Sequence, residues 1–219
     1  MNRQKLVLCV LVTLLTSPAW AQLTRYQQAM TRHIAVIDTA VRKSTYVALF
    51  NSFERIHRVE TSEWAPVYYM AYCAAELAKL ERDPARIDAA ADRAEAILNT
   101  ADSLHATPAE VLCIRSMLAF TRINVDFMER GPKYMQLGNQ YLKQALAKDP
   151  ENPRATLMLA QSSLFTPEQF GGDKKLGHKL LKRANQLYDL PVADPLTPRW
   201  GKADAAQLLA KFEKELAAN

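Results

Sequence analysis

Pro66, Pro108, Pro153 and Pro198 recur at intervals of 42, 45 and 45 residues. Each stands near a predicted helix start, where the missing N–H costs nothing and the ring presets φ. Between successive members lie two stretches of helical periodicity and one breaker, which predicts a helical hairpin as the repeating unit. Such a hairpin buries its apolar face only by stacking on the next one, so the period constrains the whole chain. Residues 141–155, YLKQALAKDPENPRA, show the punctuation at one junction. Leu142, Ala145 and Leu146 share a helical face, and Asp149-Pro150 ends that helix. Asn152-Pro153 then starts the next as N-cap and first helical residue.

Composition agrees with an all-α protein. The 219 residues suit one domain or a short repeat array. Six glycines and 49% hydrophobic residues indicate a packed chain rather than a disordered or collagen-like one. No long alternating pattern competes with the helical reading. Helices are predicted over 24–42, 44–59, 64–80, 85–101, 107–124, 132–148, 152–165, 174–188 and 202–217, with Ser44 as the cap of the second. Residues 125–131 and 166–172 are read as non-helical connections, the latter with Phe170 packed inward, Gly171-Gly172 turning and Asp173 capping. Three prolines within 189–198 exclude continuous helix there.

The first residues belong to another function. Arg3 and Lys5 precede the apolar run LVLCVLVTLL, and Ala19-Trp20-Ala21 follows as a small-x-small cleavage site. That order reads as a secretory signal peptide over 1–21, with an apolar run too short to span a membrane. The mature domain then covers 22–219, without stable membrane insertion, and is exported to the periplasm or secreted. Without Arg3 and Lys5 the formal charge falls from +5 to +3, with both signs interspersed. Neither export nor so small an excess suits a nucleic-acid surface. The one basic run, 174–183, reads as a solvated helix face, with an acidic partner as the other possibility.

The chemistry of catalysis is hard to find. His33, His57, His105 and His178 show no metal-binding spacing, and no HExxH, CxxC, GxSxG or phosphate-cradling loop is present. Glu76, Asp88, Asp92, Glu95 and Glu110 are read as solvated helix charges, no two of them poised as acid and base. Cys73 and Cys113 each lie in an apolar helical stretch, which suits buried thiols; a bridge between them needs a Cα separation that spacing does not supply. The chain is therefore read as a non-enzyme, without cofactor or metal.

The stretch 141–155 resembles the junction of tetratricopeptide repeats: Gly138, Leu142 and Ala145 match the second helix, Asp149-Pro150 the repeat end, and Leu159-Ala160 the following large-small pair. The match weakens over 64–101 and is poor over 111–120, where Arg115 and Ser116 fall near the expected pair. The unit also exceeds the 34-residue consensus, an excess read as loop lengthening at 125–131 and 166–172. In addition EWAPVYYMAYCAAEL, VDFMERGPKY, NPRATLMLAQ, TPEQFGGDKK and PRWG occur in an order similar to that of small exported bacterial tetratricopeptide-like proteins of unknown function. The resemblance implies an α-α superhelix of hairpins closed by a C-terminal capping helix, and brings no activity with it.

Stacked hairpins present a concave surface lined mainly by their first helices. Trp64, Tyr68, Tyr69 and Tyr72 concentrate aromatic surface on one such helix, and the three tyrosines are candidate binding residues. Arg115 and Arg122, seven residues apart and so on one helical face, suit a ligand carboxylate or neighbouring acids. Gln161 is a further groove candidate, whereas Arg130 and Lys133 read as braces. The expectation is a binding or scaffold protein that holds a protein or peptide partner of the cell envelope in its groove. The alternative is a solute-capture subunit of an envelope transport system. A long open groove favours the first, a confined apolar pocket with converging charges the second, and a His/carboxylate cluster in a cleft neither.

Overall fold

A computed structural model describes residues 24–217, and the leader predicted over 1–21 lies outside them. Nine α-helices and no strand are found among the described residues. They are α1 (Arg25–Ile37), α2 (Lys43–His57), α3 (Trp64–Lys79), α4 (Pro84–Ser103), α5 (Pro108–Arg122), α6 (Phe127–Lys148), α7 (Pro153–Phe165), α8 (Lys174–Tyr188) and α9 (Lys202–Ala217). The fold is all-α. Helices α3/α4, α5/α6 and α7/α8 pack as successive hairpins, with α1/α2 before them and α9 on α8 at the end. The first helices adjoin one another in sequence, α3 against α5 and α5 against α7.

The starts of these helices follow the proline punctuation. Pro84, Pro108 and Pro153 each occupy the first turn of a helix. Asp83, Asn152 and Asp173 accept backbone N–H bonds from Ala85, Ala155 and Leu176, satisfying donors that the first turn leaves without partners. Ser44, in contrast, lies inside α2, whose N-cap is Arg42. Pro198 does not start a helix: it is buried in the segment ahead of α9.

Two sequence expectations change in the connections. Residues 127–131 are helical, because the Asp126 carboxylate accepts the Glu129 N–H at 2.9 Å and so caps α6 ahead of Pro132. Pro132 sits in the second turn, where the ring removes one backbone bond from α6. The long repeat period therefore resides in extended second helices, 20 residues in α4 and 22 in α6, more than in loops. In the 166–172 connection Phe170 is 65% exposed rather than packed inward. The turn rests instead on its glycines: Gly171 has a φ of 92°, and a Cβ on Gly172 would lie 1.8 Å from the Thr166 carbonyl oxygen.

One large core runs from Met30 to Trp200, and a smaller one joins α7, α8 and α9 through Leu157, Leu164, Leu181 and Ala205. Gly138 brings α6 so close to α5 that a Cβ there would meet the Phe120 ring at 2.3 Å. That close approach helps to set the position of Phe120 on the face of the first helices.

Candidate functional site

The residues that follow the repeated prolines meet inside the protein. Arg154, just after Pro153, holds the Glu110 carboxylate with two donors: Nε reaches Oε2 at 2.7 Å and Nη2 reaches Oε1 at 2.6 Å. Both side chains are almost wholly buried. The Tyr68 hydroxyl donates to Glu110 Oε2 at 3.0 Å, and Asn152 Nδ2 donates to Oε1. Arg154 Nη1 donates to the Pro198 carbonyl at 2.6 Å. Burial opposes the Arg154 charge, but Glu110 more than compensates and holds the guanidinium protonated. Burial and then Glu110 push the Tyr68 phenol well above its ordinary value.

These bonds fasten residues 189–201 across the first helices. Trp200 Nε1 donates to the Tyr68 hydroxyl at 2.9 Å, and its ring stacks on Tyr72 with centroids 5.0 Å apart. The Tyr69 hydroxyl donates to the Leu196 and Thr197 carbonyls, both at 3.3 Å. At the far end Asp38, between α1 and α2, accepts the Gly201 and Ala203 N–H groups at 2.9 and 3.2 Å. Burial raises the Asp38 carboxyl, while those N–H groups act in the opposite direction. The chain thus lays its own segment against α3 and α7.

Beside this segment a cleft of about 360 Å³ remains. Tyr72, Met117, Phe120, Met158 and Trp200 supply its apolar surface, and Gln161, Asn124 and Thr121 its neutral polar groups. Its charges are Glu76, Lys79 and Asp204, with Lys79 Nζ 2.8 Å from Glu76. A smaller recess of about 240 Å³ shares Tyr72, Glu76, Lys79 and Asp204 and extends toward Asp38. The cleft falls near the lower end of the roughly 300–1,000 Å³ range of small-ligand sites, and the recess lies below it.

The sequence candidates separate into three groups. Tyr72 and Gln161 come together in the cleft. Tyr68 and Tyr69 have no exposed surface and anchor residues 189–201. Arg115 and Arg122 turn toward α4, the first to Glu95 and Asp102 at 3.2 and 3.3 Å, the second to Asp88 and Asp92 at 3.0 and 2.6 Å. Arg130 braces the same helix through Asp88 at 2.7 Å. Glu76 and Glu110, read as solvated, are both buried because Lys79 and Arg154 neutralise them. The sequence does not mark Arg154 or Trp200, and it marks Asn152 only as a helix cap. Their signal was phase, since Glu110, Asn152, Arg154 and Trp200 each stand within two residues of a repeated proline.

Cys73 and Cys113 are free and buried, and burial pushes both thiols up, keeping them protonated. Among the described residues, no group of three His, Cys, Asp or Glu side chains is placed to hold a metal ion, and no helix is long and apolar enough to cross a membrane.

The fold is an all-helical stack of hairpins in which residues 189–201 cross the first helices and leave the cleft beside them. No protein-family model matches the chain, and no curated protein does. Among solved structures, the HusA haemophore from Porphyromonas gingivalis is 36% identical, with a TM-score of 0.77 over 89% of this chain and 96% of that chain. The chain belongs to the family of this haemophore.

Proposed function

We propose that the chain is an exported, non-enzymatic binding protein that captures haem or a closely related tetrapyrrole. The observation that carries this reading is the 36% identity to the HusA haemophore across 96% of its length. The leader sequence over 1–21 supports export. Residues 189–201, lying across the first helices, favour small-ligand capture over a scaffold that grips a peptide in an open groove.

The test is a titration of residues 22–219 with haem, followed by the haem absorption band. A saturable change in position and intensity is expected, with a defined stoichiometry. A spectrum indistinguishable from haem mixed with an unrelated helical protein would sink the reading. Sequencing the N-terminus of the exported protein tests the leader, with Gln22 expected as the first residue.

A further inference from the structure

Haem joins a flat apolar ring to two carboxylates, so a site for it needs apolar area and cations together. The cleft at Tyr72 offers area, but Glu76 and Asp204 outnumber Lys79, which is already paired. The opposite side of α3 carries a different surface. There a trough of about 610 Å³ lies between α2 and α4, with α3 as its floor.

Its floor and sides are built from small or apolar residues. Ala74, Leu77 and Ala78 recur at helical spacing along α3, and Ala85, Ala89 and Ala90 along α4. Val47 and Phe50 form the α2 wall, and Val47 is 42% exposed. Methyl groups keep the floor low, which suits a flat ring better than bulky side chains would. Lys43, Arg86 and Arg93 stand around this surface against a single carboxylate, Glu81. Glu81 accepts the Arg82 and Asp83 N–H groups at 2.9 and 3.2 Å; the Asp83 bond and then the Arg82 bond hold its carboxyl below the usual range, and it lies 3.6 Å from Arg86. Among the described residues neither Lys43 nor Arg93 has a carboxylate within ion-pair distance, and Lys43 adds a smaller attraction to Glu81.

We propose that this trough binds the tetrapyrrole, its ring against Val47, Phe50 and the alanines and its carboxylates on Lys43 and Arg93. The assignment rests on the haem-capture reading and adds the place and the charges to it. It is driven by apolar contact and complementary charge.

The experiment titrates haem into residues 22–219 and into two variants, Lys43→Ala/Arg93→Ala and Val47→Glu. All three positions are exposed, so circular dichroism and the urea midpoint should match those of the unsubstituted protein. Each variant is expected to bind about tenfold more weakly or worse. Affinity should fall between about 0.05 and 0.5 M NaCl in the unsubstituted protein and much less in the double variant. Unchanged affinity in both variants would overturn the trough while leaving haem capture standing. Absence of haem binding by the unsubstituted protein would overturn the capture reading, and the trough with it.

Discussion

Arg154 and Glu110 form a two-donor ion pair across α7 and α5, with only 6% and 3% of their side chains exposed. Tyr68, Asn152 and the Pro198 carbonyl complete the bonding, so one buried pair ties three hairpin starts to the segment that fills the groove. Burying two charges is costly, and the geometry must recover that cost through several hydrogen bonds at once.

Removing one partner should therefore cost far more than a surface charge. Arg154→Met is expected to destabilise by about 3–5 kcal/mol, because Glu110 would stay buried without its counter-charge. Urea unfolding of Arg154→Met, Glu110→Gln and the double variant should show a coupling of about 2 kcal/mol. Additive single effects would mean that the pair does not act as a unit.

Trp200 joins the stack on Tyr72 to the hydrogen bond on Tyr68. Trp200→Phe should retain most of the stacking and lose about 1 kcal/mol with the N–H donor. Trp200→Ala should lose about 3–5 kcal/mol and loosen residues 189–201. Thermal unfolding checks the order of the two variants, and hydrogen exchange over 189–201 should rise in the second.

Asp88 connects Arg122 and Arg130 to α4, and the Arg130 hydrogen bond, with that of Arg122, holds its carboxyl below the usual range. A depressed folded-state pKa gives stability that is fully present above the unfolded value, about 3.9, and lost as pH falls through the folded value. Asp88→Asn should thus be less stable than the unsubstituted protein at pH 7, by a small margin because the site is partly exposed. The difference should shrink below about pH 4. A gap that stays constant from about pH 7 to about pH 3 would remove the ion pairs as its cause.

The two thiols of residues 22–219 should be silent toward an aromatic disulfide reagent in the native state. Both should react once urea unfolds the chain, because burial alone protects Cys73 and Cys113. Rapid native reaction at either position would contradict the packing around α3 and α5.

Gly172→Ala places a methyl group against the Thr166 carbonyl and forces the 166–172 turn to shift. A loss of about 1–3 kcal/mol is expected, measured by thermal unfolding. The turn joins α7 to α8, so the smaller core at Leu164 and Leu181 should loosen with it.

The all-α class, most of the helix starts and the hairpin order are legible in the sequence, because prolines, caps and apolar periodicity act over a few neighbouring residues. The sequence also placed Tyr72 and Gln161 on first helices that share one cleft. Packing between distant segments settles where the other candidates lie. Tyr68 and Tyr69 meet residues 189–201 from the far end of the sequence, and Arg115 and Arg122 meet acids on the preceding helix. The same holds for the buried charge of Glu110 and for the cationic trough, whose lining residues come from three helices. Periodicity tells which face of a helix is apolar, but a side chain's partner depends on what packing brings to that face.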